Sequence, residues 1–331
     1  MLNTDAHKNM ALKTDGRLVV NAAGEPLKLT GVNCAGLEWA ADGDRIKERA
    51  ALAFDDWKAN IIRLPVSQDR WFGHGPDQED DRDGARYRAL CDEIIDMATG
   101  RDKYIDFDLH WSNTGKWGGK IGQHCMPDAL SVGFWHDAAA RYANHPAVLF
   151  GLYNEPYGVS WDEWQTGGYN EKEDFAVVGM QTLINTIRAR GAKNVLVIGG
   201  LDWGFDLRGV ESHPLDDRGG DGIIYDSHIY PWKPAAYDDF IPPSLAAKYP
   251  ILIGECGHYR DDANNPEGRQ RTPHTEWNPE LLAYIRDRGF HVTAWDFHPS
   301  AGPCLIKDFA GTPTEFWGEI YKGFCAGENG R

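Results

Sequence analysis

Eight apolar or β-branched runs recur along this chain at helix-sized intervals. They are Leu29–Gly36, Asn60–Val66, Tyr104–Trp111, Ala147–Asn154, Asn194–Leu201, Gly222–Tyr230, Ile251–Cys256 and His291–Phe297. Helical patterns separate most of them, at Asp44–Lys58, Gly84–Thr99, Val132–Ala143, Lys172–Arg190, Thr275–Arg288 and Pro313–Phe324. The segments after the fifth and sixth runs are less regular. Strand and helix in alternation imply parallel strands joined by right-handed crossovers, and eight repeats imply a closed ring. The predicted fold is α/β, a (β/α)8 TIM barrel. A doubly wound open sheet is the alternative, but no G-x-G-x-x-G follows the first run. Gly16–Val20 and Pro26–Leu29 flank Asn21–Glu25, which reads as a hairpin closing the barrel floor. A chain of 331 residues fits two average domains or one barrel. With no long linker, low-complexity tract or internal repeat, we read one domain over residues 1–331, hairpin about 16–29 and barrel about 29–325.

Charge narrows the function. Lys plus Arg number 34 against 50 Asp plus Glu, a net charge of −16. Such a chain repels nucleic acid and anionic membrane and suits a neutral partner. No run of roughly 18 apolar residues is present to span a membrane. The start, MLNTDAHKNMALKTDG, lacks the apolar stretch of a signal peptide, so secreted or periplasmic placement is expected only if one was removed. The six cysteines include no C-x-x-C pair, which argues against zinc and redox motifs. Their spacing assigns no disulfides, and scattered buried thiols explain them equally well. There are 13 tryptophans, and Trp39, Trp71, Trp111, Trp117, Trp161, Trp203 and Trp232 fall in or beside strand-end loops. Aromatic faces there can stack on sugar rings or simply pack.

Strand side chains alternate faces. In Tyr104–Trp111, Ile105, Phe107 and Leu109 share one face and Asp106, Asp108 and His110 the other. Helices cover a barrel's outside, so the polar set points inward. The same parity groups Asp226, His228 and Tyr230, and isolates Arg63 on an apolar strand. Charged groups inside a barrel are costly unless paired. One such strand reads as a packing ion pair. Several, all polar at their C-terminal ends, mark the rim where barrel enzymes keep their chemistry.

Two carboxylates end apolar strands there: Glu155 in Asn154-Glu155-Pro156, on strand four, and Glu255 in Gly254-Glu255-Cys256, on strand seven. Strands four and seven lie nearly opposite in a ring of eight. Two carboxyls facing across a pocket suit glycoside hydrolysis, one as protonated acid and one ionised. Arg63 could hold Glu255 ionised, Tyr230 could donate a hydrogen bond to it, and Asn154 could hold a sugar hydroxyl.

At these residues the chain resembles glycoside hydrolase family 5, the cellulase-type (β/α)8 barrels. The matching segments are Arg63-Leu64-Pro65, Asp108-Leu109-His110, Asn154-Glu155-Pro156, His228-Ile229-Tyr230, Gly254-Glu255 and Ala294-Trp295. The resemblance implies a retaining mechanism, with Glu155 as acid/base and Glu255 as nucleophile. It implies that Arg63 supports Glu255 and Tyr230 hydrogen-bonds it. His110 and Asn154 would bind hydroxyls beside the cleaved bond, His228 would sit by the acid/base, and Trp295 would floor that subsite.

We expect a β-linked glycan as substrate, an endo-β-1,4-glucanase activity, no cofactor or metal, no nucleic-acid or membrane partner, and a monomer. Trp39 and Trp111 join the expected substrate-binding set. A β-mannanase, an exo-acting β-glycosidase and a transglycosylase are the alternatives within the family. A non-catalytic carbohydrate-binding barrel is the alternative outside it, but such a protein would be expected to lose a carboxylate. The Gly-rich loop Trp111–Asp128 either walls one end of the cleft or is an ordered structural loop.

Overall fold

The computed structural model describes residues 4–113, 122–172, 174–260 and 272–327. A 3-10 segment, Thr4–Met10, precedes β1 (Lys13–Asp15) and β2 (Leu18–Val20). The order continues β3 (Thr30–Asn33), α1 (Ile46–Asp55), β4 (Ile61–Ser67), α2 (Gln68–Trp71), α3 (Ala85–Thr99), β5 (Tyr104–Trp111), α4 (Ala129–Arg141) and β6 (Val148–Gly151). Then come α5 (Trp161–Thr166), β7 (Gly167–Asn170), β8 (Phe175–Val178), α6 (Met180–Ala189), β9 (Leu196–Gly199) and β10 (Ile223–Ile229). Last are α7 (Tyr237–Phe240), α8 (Pro243–Ala246), β11 (Ile251–Cys256), α9 (His274–Arg288), β12 (His291–Ala294) and α10 (Gly318–Cys325). Strands β3, β4, β5, β6, β9, β10, β11 and β12 close into a parallel barrel, as the alternation predicts. Among the described residues no helix is long and apolar enough to cross a membrane.

Three segments depart from the expected elements. The N-terminal ladder pairs β1 with β2, one strand earlier than expected. Gly16-Arg17 makes its turn, with Gly16 at φ 56°. The expected second arm, Pro26–Leu29, gives only a bridge from Pro26 to Val20 and a bond from Leu27 N to Val19 O at 2.8 Å; proline has no N–H to extend it. The expected helix Lys172–Arg190 divides. Phe175–Val178 pairs with β7 as a hairpin, and the helix begins at Met180. β-Branched Val177 and Val178 favour the strand, and Gly179 lies so close to Gly167 that a Cβ there would sit 2.3 Å from its nitrogen. The fifth crossover, residues 200–222, holds bridges and turns and no helix.

The barrel interior is layered. Leu29, Ile61, Tyr104, Leu149, Val197, Ile224 and Leu252 form an apolar floor with Met10, Leu12 and Val19 packed beneath. The alternate residues Ile105, Phe107 and Leu109 face the helices in the main core. Capping fixes where α4 starts: Asp128 accepts from Leu130 N and Ser131 N at 2.8 and 3.0 Å, and Ser131 Oγ in turn accepts from Asp128 N at 3.0 Å. That cap starts the helix at Ala129, three residues before the expected Val132.

Above the floor lies Asp106, fully buried, with no hydrogen-bond partner on either oxygen. Its closest cation is Arg63 Nε, 3.9 Å away. Burial pushes its carboxyl well above the usual range, Asp108 and Asp226 add to the rise, and Arg63 and His228 oppose it. A carboxyl raised on folding contributes stability that is present at acid pH and lost as pH rises through its folded value. Asp106→Asn removes that loss. In urea unfolding from pH 5 to 8 the variant should gain on the wild type by about 1.4 kcal/mol per pH unit at most, while Asp106 keeps its proton. A stability difference that does not change with pH would show that Asp106 is ionised in the folded protein.

Candidate active site

The C-terminal ends of β3, β4, β5, β6, β10 and β11 deliver the polar groups. Arg63, on β4, is 2 % exposed and spreads its guanidinium over four partners. Nη1 donates to Glu255 Oε1 at 2.9 Å and Asn33 Oδ1 at 3.0 Å. Nη2 donates to Asn154 Oδ1 at 2.7 Å and lies 3.0 Å from Asp108 Oδ2. The fork suits this because its five donors are planar and always charged. Asn33 also donates Nδ2 to the carbonyls of Gly254 and Thr293 at 2.8 and 2.9 Å, tying three strand ends together.

On β5, His110 Nδ1 contacts Asp108 Oδ2 at 2.7 Å. Its Nε2 lies 3.3 Å from Asn154 Nδ2, which also donates to Gln123 Oε1 at 2.8 Å. Gln123 Nε2 in turn holds the Glu155 carbonyl at 2.6 Å. Trp295, just past β12, lies over the His110 ring at 5.4 Å and 14°.

Glu155 and Glu255 meet across the mouth, with oxygens of the two and His228 Nδ1 all within 4.8 Å of one another. His228 Nδ1 is 2.8 Å from Glu155 Oε1 and 3.6 Å from Glu255 Oε2, and Nε2 is 3.1 Å from Asp226 Oδ2. Burial alone would lower the His228 pKa. The charges of Glu255 and Asp226, with hydrogen bonds to Asp226 and Glu155, outweigh it and carry the ring to about 10. As an imidazolium it donates from both nitrogens and has no lone pair for a metal ion.

Tyr230 OH donates to Glu255 Oε2 at 2.7 Å. Both contacts expected to hold Glu255 ionised, Arg63 and Tyr230, are therefore present. The net shift is nevertheless upward: burial raises the Glu255 carboxyl most and Glu155 adds to it, against His228 and Arg63.

Above these groups opens a cleft of about 730 Å³, lined among others by His110, Asn154, Glu155, Tyr230, Glu255 and Trp295. Its walls add residues the sequence reading did not single out as site residues: Asp202, Lys233 and Tyr259. Trp203 and Trp232, noted only among the strand-end tryptophans, also line it. Trp232 stacks on Tyr230 at 4.5 Å and 5°, and Trp203 on Tyr157 at 3.7 Å and 6°. Trp39 packs at the edge of the Tyr230–Trp295 cluster. Trp111 is 5 % exposed, beside Gly122, and is not among the described cleft-lining residues. Trp71 is core and Trp161 packs on Trp164. Trp117 and the rest of 114–121 lie outside the described residues, and with them the middle of the Trp111–Asp128 loop.

The model of the cellulase family, glycosyl hydrolase family 5, matches residues 20–301. The chain belongs to glycosyl hydrolase family 5. As a family 5 member it is a glycoside hydrolase. It is 26 % identical over 335 residues to an endoglucanase of Paenibacillus polymyxa, covering 87 % of this chain and 80 % of that one. Endoglucanase E-5 of Thermobifida fusca is 28 % identical over 252 residues, 73 % of this chain and 47 % of its own length. The chain thus spans most of the first relative and about half of the second. Among solved structures, a β-glucanase from Saccharophagus degradans in complex with cellotetraose superposes with TM-score 0.74 at 23 % identity, covering 96 % of this chain and 93 % of that one. This family 5 likeness carries the barrel fold.

Proposed function

We propose that this family 5 enzyme is an endo-acting β-1,4-glucanase that works with retention, using Glu155 as acid/base and Glu255 as nucleophile. The observation that carries the reading is that one oxygen of each carboxylate lies within 4.8 Å of the other. A retaining pair sits about 5–5.5 Å apart, whereas an inverting pair needs roughly 6.5–9.5 Å to admit a water. The endoglucanase names of the two relatives support the substrate class.

The roles follow from the contacts. Glu255 attacks the anomeric carbon while Arg63 and Tyr230 hold its two oxygens in line. Glu155 protonates the leaving oxygen, then takes a proton from the water that opens the glycosyl-enzyme. Asn154 and His110 offer polar groups to hydroxyls of the sugar over Trp295. The faces of Trp203 and Trp232 suit the apolar faces of neighbouring glucose units.

A hydrolysis panel of cellulose, barley glucan, xyloglucan, mannan and aryl glycosides tests this. We expect barley glucan and soluble cellulose to lose viscosity early and to release mixed oligosaccharides. Faster cleavage of mannan, or release of terminal sugars alone, would reassign the substrate or the mode. Oligosaccharides longer than the substrate at high concentration would indicate a transglycosylase.

A further inference from the structure

One buried carboxylate reaches both halves of the catalytic pair through their neighbours and is not among the described cleft-lining residues. Asp226 is 3 % exposed, on β10. Its Oδ2 lies 3.1 Å from His228 Nε2, and its Oδ1 accepts from Gly254 N at 2.6 Å. His228 then reaches Glu155, and Gly254 is the residue before Glu255. We propose that Asp226 is a positioning residue of the reaction, locking His228 as the imidazolium that faces Glu155 and pinning the bulge that turns Glu255 into the barrel. This rests on the roles proposed above for the two glutamates.

The bulge is read from the strand register. Asp226 pairs with Leu252, but His228, two residues on, pairs with Glu255, three residues on. Strand β11 therefore carries one extra residue. On plain alternation Glu255 would share the helix-facing side of Ile251 and Ile253. The extra residue reverses the parity after Ile253 and brings Glu255 inward. A bulge leaves ladder groups unpaired, and Asp226 accepts from the Gly254 N–H at its centre. The fit requires glycine: a Cβ at 254 would fall 2.3 to 2.6 Å from the Asp226 carboxylate.

The other arm fixes a protonation state. A carboxylate oxygen only accepts, so Nε2 must carry a proton to bond Asp226. Nδ1 carries the other, donated to Glu155 Oε1, which leaves Oε2 to hold the acid proton. With both protons the ring is positive and close to both glutamates. Gly204 closes one face of the ring, since a Cβ there would lie 3.0 Å from it. The titratable groups around His228 are Glu155, Asp226, Glu255 and the protonated Asp106. Those around Glu255 are His228, Glu155, Arg63, His110 and Asp296, with the Tyr230 hydroxyl.

Asp226→Asn separates the two arms. The amide oxygen can keep the Gly254 N–H, which leaves the amide NH2 facing Nε2. Two donors cannot share that contact, so His228 gives up its Nε2 proton and remains a neutral Nδ1–H donor to Glu155. Asp226 loses one negative charge and His228 one positive charge, but the histidine is the nearer to the glutamates. Loss of the nearby positive charge disfavours the ionised form of each glutamate. The acid limb of kcat/KM requires ionised Glu255 and the basic limb protonated Glu155, so both limbs move to higher pH, by about 1 unit each. At a pH on the wild-type acid limb, kcat/KM falls roughly tenfold.

The experiment combines pH profiles on an aryl β-cellobioside with 15N spectra of histidine-labelled full-length chain, for wild type, Asp226→Asn and Glu155→Ala. The expected result is a His228 imidazolium in wild type, a neutral Nδ1–H ring in Asp226→Asn, and parallel displacement of both limbs. A variant that keeps the imidazolium, or whose limbs stay put while wild type and Glu155→Ala behave as assigned, overturns the proposal. If instead wild type ignores the cellobioside, or Glu155→Ala keeps the wild-type basic limb, the functional reading fails, and the histidine spectra still decide whether Asp226 sets the charge of the ring. Asp226→Ala also removes the Gly254 acceptor and should lose further activity through displacement of Glu255. Should that variant not fold, Asp226→Asn carries the test alone.

Discussion

Glu255→Ala should lose activity on the order of 10⁶-fold, the scale seen when a covalent nucleophile is deleted. Glu155→Ala should fail differently. On natural glycans, whose leaving alcohol needs a proton, its loss is about 10²–10⁴-fold. On an aryl glycoside with a good leaving group the acid is hardly needed, so Glu155→Ala still forms the glycosyl-enzyme and then stalls. Azide needs no general base and should release the stalled intermediate as a β-glycosyl azide. In Glu255→Ala no intermediate forms, so azide can act only from the vacated side and give the α-azide. Product stereochemistry by NMR checks both variants together. The α product from Glu155→Ala with the β product from Glu255→Ala would mean that the two roles are exchanged. The two variants should remain folded, because each removes one carboxylate from a cluster that also holds the buried Asp108 and Asp226.

The barrel was legible because its signal is periodic and repeated. In Tyr104–Trp111 the alternation of Ile105, Phe107 and Leu109 with Asp106, Asp108 and His110 names an outer and an inner face, and the structure keeps both. The glutamates were legible as carboxylates at the ends of apolar strands. How Glu255 points inward was not. Plain alternation across Ile251–Cys256 puts it on the wrong side, and only the pairing of β11 with β10 reveals the extra residue. Asp226 was readable as inward-facing, but its partners depend on that same register. The groups that hold the site together from loops, such as Gln123 under Asn154 and Glu155, leave no periodic trace at all. Lys172–Val178 shows a different limit. Its spacing fits a helix, and only the close approach of Gly179 to Gly167 and the pairing with β7 make Phe175–Val178 a strand.

Arg63→Ala should lower both stability and turnover, and the pH dependence of each identifies the cause. The substitution strands Glu255 Oε1, Asn33 Oδ1 and Asn154 Oδ1, all on buried residues, and leaves Asp108 Oδ2 with His110 alone. Breaking a buried pair from one side costs about 3–5 kcal/mol. Some of that is recoverable by protonation. Burial already raises Glu255, and without the guanidinium it rises further, so the acid limb of kcat/KM moves to higher pH. Stability follows the same sign. Carboxyls raised in the folded state stabilise it below their unfolded pKa and cease to as pH passes their folded value. The Tm deficit of Arg63→Ala should therefore be smallest in acid and widen toward neutral pH. A deficit of the same size at every pH would mean that lost packing, not the stranded carboxylates, sets the cost. Arg63→Lys discriminates further. An ammonium restores the charge, so the acid limb should move back toward the wild-type position. It cannot restore the planar fork that holds Glu255 and Asn154 at once, so turnover should stay below wild type.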